Sequence, residues 1–162
     1  EGRLPERPVV ITFDDGAADF YTHAWPLLKQ YDVKATIDIM TGVRGKNWLS
    51  AEQIKEMHAA GGVEFQSHTR YHAYLTRVSE AEARDELAAS KAYLEELTGD
   101  PVTVIAYPFG LYNDRIINIA KSLGYEAGMT IHAGAEQERD DIFELRRFLI
   151  TEHSNIERML SE

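Results

Sequence analysis

The chain has 162 residues, 44% of them hydrophobic, and a formal net charge of -10. Such a length and composition fit one globular domain with a single sizeable core, and the acidic balance argues against a nucleic-acid partner, whose phosphates would be repelled. There is no cysteine, which excludes disulfides, thiolate metal sites and cysteine nucleophiles and leaves His, Asp and Glu to hold any metal. No apolar run approaches the roughly 18 residues of a membrane span. No signal peptide is visible, and the polar, Pro-containing opening at Glu1 is that of a mature or trimmed product. The negative charge serves solubility or fits a neutral or cationic polymer as partner.

Val9 to Phe13 is a β-branched and aromatic run and reads as a buried strand that stops at Asp14-Asp15-Gly16. Phe20 to Tyr31 reads as a helix kinked near Pro26, and Lys34 to Met40 as a second strand. Ser50 with Gln53 forms a capping box for a helix with Ile54 and Met57 on its inner face, ended by Gly61-Gly62. Val63 to Ser67 is a third strand, and His68 follows it directly. Ser79 and Glu82 open a further helix as a second capping box, with Ala83, Leu87, Ser90, Leu94 and Leu97 on one stripe and Gly99 and Pro101 as terminators. Val102 to Ala106 is a fourth strand, ended by Tyr107-Pro108-Phe109-Gly110. Asn113 caps a helix through Leu123, and Tyr125 to Ile131 and Arg147 to Ile150 read as further strands, with a polar, mobile loop from His132 to Asp141 between them. Alternating strands and helices imply an α/β fold of parallel strands with right-handed crossovers, either a barrel or an open sheet. In both, active sites gather at the carboxyl ends of the strands, which is where Asp14, Asp15, His68 and the Tyr107 to Gly110 turn fall.

Two carboxylates side by side at a buried strand end repel each other, and a cation would offset that cost. Asp-Asp-Gly is also an ordinary turn sequence. His68 and His72 lie four apart, a spacing that on a helical turn puts both imidazoles on one face within reach of a single ion, with Ser67 and Thr69 as flanking hydroxyls that could orient them. The alternative is two polar loop histidines. Two His and one carboxylate make a three-ligand set with open positions, as catalytic metal sites require, and leave the other carboxylate free as a base.

These residues resemble the NodB-homology polysaccharide deacetylases, carbohydrate esterase family 4. The resemblance is carried by Thr12-Phe13-Asp14-Asp15-Gly16, then Ser67-His68-Thr69-Arg70-Tyr71-His72, then Tyr107-Pro108-Phe109-Gly110, in the family's order over most of the chain, with Asn47-Trp48-Leu49-Ser50 as a further similar stretch. Members that deacetylate poly-β-1,6-N-acetylglucosamine in biofilms look most similar. The resemblance implies a single domain over residues 1–162 with a distorted (β/α) barrel of fewer than eight parallel strands. It implies Asp14 as general base, with Asp15, His68 and His72 as ligands of one divalent metal ion, zinc foremost and cobalt or nickel as alternatives. The backbone N–H of Phe109 would help hold the oxyanion. The reaction implied is metal-dependent attack of water on the acetamide of an N-acetylglucosamine-containing polysaccharide, releasing acetate. Chitin oligomers, peptidoglycan and acetylxylan are alternative substrates, and a non-catalytic glycan-binding relative is the alternative of a different class. A metal phosphatase or amidohydrolase would need further ligands, and the unassigned His23 and His58 lie inside predicted helices.

The sequence departs from the family pattern in two places. The Arg expected upstream of the Pro-aromatic-Gly turn is absent from Val104-Ile105-Ala106-Tyr107. Arg147 resembles the Arg of a later motif and could pair with Asp14, with Arg146 as the neighbouring alternative and a solvated basic pair as the ordinary reading. The late motif carrying the general-acid His is not found. His132 and His153 read as surface residues, and the thirteen residues before Asp14 hold no His, so the chain reads as truncated or short of its general acid. Of Tyr21, Trp25, Trp48, Tyr71, Tyr107 and Tyr112, which could line a sugar groove or belong to the core, Tyr107 is singled out for substrate binding. The chain is expected to be a monomer with no membrane span, acting outside the cell or at its surface by analogy with the implied substrates.

Overall fold

A computed structural model describes residues 8–159. Five parallel strands run in the order β1-β2-β3-β4-β5: β1 (Thr12–Phe13), β2 (Ala35–Ile39), β3 (Val63–Ser67), β4 (Val104–Ala106) and β5 (Ala127–Met129). They curl into a half-barrel with helices on the outside, which is the distorted α/β barrel of fewer than eight strands that the sequence implies. The helices are α1 (Trp25–Gln30), α2 (Ala51–Ala60), α3 (Glu80–Thr98), α4 (Asp114–Ser122) and α5 (Ile156–Met159).

Local chemistry accounts for most boundaries. Ser50 caps α2 by accepting from Gln53 N while its own N–H donates to Gln53 Oε1, the full capping box, and Gly61 at φ 75° ends the helix. On α3 only half of the expected box forms: Ser79 accepts from Glu82 N, and Gly99 closes the far end in the left-handed conformation. Asn113 accepts from Ile116 N to start α4. The break near Pro26 is a π-helical turn, Phe20–Ala24, that runs directly into α1, where Pro26 has no N–H to donate back into that turn.

The predicted strands are longer than those observed, apart from Val63–Ser67, whose limits coincide. Of Val9 to Phe13 only Thr12–Phe13 pairs, and Val9 and Val10 are exposed. Arg147 to Ile150 is not a strand. A single parallel bridge joins Leu145 to Met129, Arg147 N–H then donates to the carbonyl of His132, and the pairing stops there with Leu149 and Ile150 exposed. Their apolar side chains have no layer to pack against, so the hydrophobic pattern that suggested a strand has nothing to drive it.

The core lies between sheet and helices: Ile37, Phe65 and Ile105 from the strands meet Ile54, Met57, Leu87, Leu94 and Ile116. Burying each such side chain contributes about 1.5–3 kcal/mol. Register decides what the sheet does for the site. Thr36 lies opposite Thr12, Ile39 opposite Ser67, Ser67 opposite Ile105 and Ala106 opposite Met129. The carboxyl ends therefore line up, and the residues next in sequence emerge together on one rim.

Gly128 in β5 shows how closely the layers approach. A Cβ there would meet the Tyr107 hydroxyl and lie 2.7 Å from the Phe143 carbonyl oxygen. Gly128→Ala should lower unfolding stability by about 1–3 kcal/mol, measured by denaturant unfolding.

Candidate active site

At the end of β1 the chain turns sharply. Gly16 N–H donates to the Asp14 carbonyl at 3.0 Å, and Asp15 takes φ 75°. That left-handed residue turns the chain at the strand end, where an extended pair would point its two carboxylates to opposite faces. The Asp15 carbonyl accepts from Met40 N–H at 3.2 Å, which ties the turn to the end of β2.

His68 leaves β3 with its N–H on the Ile39 carbonyl at 3.0 Å. Its Nδ1 donates to the Ala106 carbonyl at 2.8 Å, which turns Nε2 toward the site. The segment to His72 is not the helical turn that the four-residue spacing suggests. Thr69 at φ 66° and His72 at φ 59° fold it into an irregular loop, closed by His72 N–H on Thr69 Oγ1 at 3.0 Å. Helix α3 holds this loop from beneath. Glu86 Oε2 accepts from the N–H groups of Arg70 and Tyr71 at 3.0 and 2.8 Å, and Ser90 bonds Ser67 Oγ, which in turn accepts from Thr69 N–H. Ser67 and Thr69 thus shape the loop and do not touch the imidazole nitrogens.

Asp15 Oδ1 lies 3.4 Å from His68 Nε2 and 3.8 Å from His72 Nε2, and one ligand atom from each of the three residues falls within 4.8 Å of the others. Ligands about 2.0–2.1 Å from a tetrahedral zinc stand about 3.3 Å apart. The donor set therefore fits a divalent cation after a small inward movement, with positions left open toward solvent. Burial, followed by the charge of His68, pushes the His72 pKa below its usual value, which favours the neutral ring that a ligand must present. A bond to His68 keeps the Asp15 carboxyl below the ordinary carboxylate range despite its partial burial.

Asp14 stands apart from this cluster. Arg147 grips it with both terminal nitrogens, Nη1 to Oδ1 at 2.7 Å and Nη2 to Oδ2 at 2.9 Å. The guanidinium is itself fixed, with Nε on the Thr130 carbonyl and Nη1 on Thr12 Oγ1, both at 3.0 Å. Burial alone would raise the Asp14 pKa, but the bonds and charge of Arg147 outweigh it and keep Asp14 ionised at neutral pH. Arg146 takes no part: its N–H bonds Gln137 Oε1 and its side chain lies against Gly134.

Sequence reasoning missed two acidic residues and one aromatic. Asp38, in the middle of β2, is 0% exposed; neither of its oxygens accepts a hydrogen bond, and Arg147 Nη1 is 3.8 Å away. Desolvation, then the neighbouring charge of Asp14, drives its pKa well up. An Asp inside the apolar run Ala35 to Met40 was the available signal. Glu86 was signalled in the same way, as a charge on the inner stripe of α3. The aromatic is Tyr74, whose ring stacks on Phe109 with centroids 4.0 Å apart and planes 7° apart.

Tyr107 needs correction as a substrate-binding side chain. It is 1% exposed, its hydroxyl has no partner, and its ring stacks on Tyr112 inside the core. Only its backbone belongs to the rim, its carbonyl accepting from Gly110 N–H at 2.8 Å in the turn that presents Phe109. Phe109 itself sits at φ 59°, ψ 11°, a conformation that costs a non-glycine residue about 1–2 kcal/mol, comparable to the about 0.5–1.5 kcal/mol of an aromatic stack. His132 is exposed with its ring 6.0 Å from Tyr112, and His153 is exposed beside Glu152. Neither belongs to the Asp15, His68 and His72 cluster. His23 lies in the π-helical turn and His58 in α2.

A family model for polysaccharide deacetylases matches residues 1–128. The chain belongs to the polysaccharide deacetylase family. YxkH of Bacillus subtilis (strain 168) is 36% identical over 147 residues, covering 90% of this chain and 52% of that protein. The poly-beta-1,6-N-acetyl-D-glucosamine N-deacetylase of Staphylococcus aureus (strain MSSA476) is 31% identical over 166 residues, covering 94% of this chain and 57% of the relative. The chain thus spans about half the length of these curated relatives. Among solved structures, the Streptococcus pyogenes deacetylase PplD in complex with acetate superposes with a TM-score of 0.92 at 37% identity, covering 98% of this chain and 72% of that one. Together these support the resemblance drawn from the three motifs.

Two substitutions probe how the site is built. Glu86→Ala should release the loop between the histidines and raise hydrogen exchange at the Arg70 and Tyr71 amides about tenfold or more, whereas Glu86→Gln, which keeps an acceptor oxygen, should leave exchange at both amides close to the parent's. A carboxyl whose pKa is raised on folding favours the native state most at low pH, and that contribution is lost as pH rises through the raised value. Asp38→Asn should therefore raise the melting temperature at pH 7 more than at pH 4, with both read by thermal unfolding.

Proposed function

We propose that this protein is a metal-dependent de-N-acetylase of N-acetylglucosamine-containing polysaccharide. The observation that carries the reading is the pairing of an Asp15, His68 and His72 cluster with a separate, Arg-clamped carboxylate in Asp14. This is a division of labour between ligands and base that a structural ion pair would not need.

In this reading a divalent cation held by Asp15, His68 and His72 supplies Lewis acidity toward the acetamide carbonyl, and zinc, cobalt and nickel all suit the donor set. Asp14 takes a proton from the attacking water, with Arg147 fixing its orientation. The water oxygen bonds to the carbonyl carbon, and the charge that develops on the carbonyl oxygen is met by the backbone N–H of Phe109. The C–N bond then breaks, the nitrogen takes up a proton, and acetate and a free amino sugar leave. The general acid for that last proton is the part with no assigned residue, since His132 and His153 are both exposed and neither belongs to the Asp15, His68 and His72 cluster.

The β-1,6-linked polymer is the preferred substrate in this proposal, supported by the similarity to the staphylococcal enzyme. Such a substrate implies work outside the cell or at its surface, and we propose that residues 1–162 form one deacetylase domain that acts as a monomer. None of the helices among the described residues is long and apolar enough to cross a membrane. A second reading, a glycan-binding relative without turnover, is favoured by one observation, the surface position of both late histidines.

Acetate release from β-1,6-linked N-acetylglucosamine oligomers, with zinc, cobalt or nickel returned to chelator-stripped protein, separates the two. Release should depend on the metal. His68→Ala should abolish both zinc binding and release, and Asp14→Asn should keep zinc binding while lowering kcat about 10²–10⁴-fold. Zinc binding without release from β-1,6, β-1,4 or xylan substrates would favour the binding module.

A further inference from the structure

Beside the ligand cluster, four groups succeed one another along the rim. The guanidinium of Arg77 lies over the Tyr74 ring, 4.8 Å from its centroid. Tyr74 stacks on Phe109 at 4.0 Å, and Phe109 meets the His72 imidazole edge to face at 4.4 Å and 67°. Tyr74, 41% exposed, and Phe109, 40% exposed, thus pack on each other at the rim, with Arg77 also crowding the Tyr74 ring.

Tyr74 stands on a backbone that is pinned. Its carbonyl accepts from Arg77 N–H at 2.8 Å. The next residue, Leu75, is fully buried, and its carbonyl accepts from Arg115 Nη2 at 2.9 Å. The Tyr74 ring is thus a fixed wall. What it presses on is less constrained: Phe109, in a left-handed conformation within a turn closed by Gly110 N–H on the Tyr107 carbonyl and Leu111 N–H on the Pro108 carbonyl. A ring held at 4.0 Å on one side and packed against His72 on the other links the turn to the histidine loop.

We infer that Tyr74 is a positioning residue that clamps the Phe109 ring against His72, so that the Phe109 backbone N–H and the His72 imidazole keep one relative placement. The inference rests on the roles proposed above for Phe109 and His72, but the clamp itself is a property of the fold and is open to measurement without turnover. It predicts that a ring is needed at position 74 and a hydroxyl is not.

The test compares Tyr74→Ala and Tyr74→Phe with the parent chain. In metal-free protein, hydrogen exchange at the Gly110 and Leu111 amides should rise about 3- to 10-fold in Tyr74→Ala and stay unchanged in Tyr74→Phe, with core amides of β3 unaffected in both. Zinc affinity by calorimetry should fall about tenfold in the Ala variant alone. Where the parent releases acetate, kcat should drop in Tyr74→Ala with KM unchanged, and Tyr74→Phe should restore it. Unchanged exchange at both amides in Tyr74→Ala would overturn the clamp, as would a rise in KM alone, which would mean that the ring contacts sugar. A parent that binds no zinc or releases no acetate would count against the proposed function, while exchange at the two amides would still decide whether Tyr74 clamps the turn.

Discussion

Three carboxyl groups, Asp14, Asp15 and Asp38, gather where β1 and β2 end, and they cannot all be charged at that rim without compensation. The fold answers each differently. Arg147 reaches over from the segment beside β5 to neutralise Asp14 with a two-pronged bond at 2.7 and 2.9 Å. Asp15 faces two imidazoles, an arrangement that a bound cation would complete. Asp38, fully buried beside Asp14 and Arg147, has its pKa driven well up, chiefly by the loss of solvent. Asp14 and Asp38 perturb each other and share Arg147, so these three groups form one electrostatic unit beside the Asp15, His68 and His72 cluster.

Holding unit and cluster together requires backbone conformations that the chain would not choose by itself. Asp15, Thr69, His72 and Phe109 all carry positive φ without being glycine. Four such residues within one rim indicate stored strain, which persists only where the surroundings over-determine it. The restraints are visible: Glu86 and Ser90 of α3 under the histidine loop, the β2 terminus against the Asp15 turn, and the Tyr74 ring against Phe109. Helix α3 therefore has two functions at once. Its Leu87 and Leu94 fill the core, and its buried polar residues Glu86 and Ser90, one turn apart on the same stripe, hold the loop between His68 and His72.

Membership in the polysaccharide deacetylase family accords with this picture, and the rim gives the family's motifs a physical reading. Each motif is a strand end followed by a strained corner. Asp14-Asp15-Gly16 follows β1, His68-Thr69 follows β3 and Tyr107-Pro108-Phe109-Gly110 follows β4, and the parallel register puts the three ends on one rim, with the end of β2 between the first two. The motif residues differ in what they contribute. Asp14, Asp15, His68 and His72 give side chains to the rim, whereas Tyr107 gives its side chain to the core and only its backbone to the turn.

Local sequence was enough to set the alternation of strands and helices, the caps at Ser50 and Asn113, the stops at Gly61 and Gly99, and the placement of Asp14, Asp15 and His68 at strand ends. All of these follow from interactions within a few residues, such as side-chain oxygens on nearby N–H groups, glycine's access to positive φ and apolar periodicity. The same local logic failed at Arg147 to Ile150, where an apolar pattern met no layer to bury it, and at His68 to His72, where helical spacing concealed an irregular loop. Folding in three dimensions was needed to make Arg147, 133 residues along the chain from Asp14, the arginine that grips it. Folding likewise buried Asp38 and Glu86 at the site and put Tyr74, rather than Tyr107, at the rim. Those outcomes depend on strand register and on which face of an element turns inward, and a contact between residues far apart in the chain leaves no periodicity for local sequence to record.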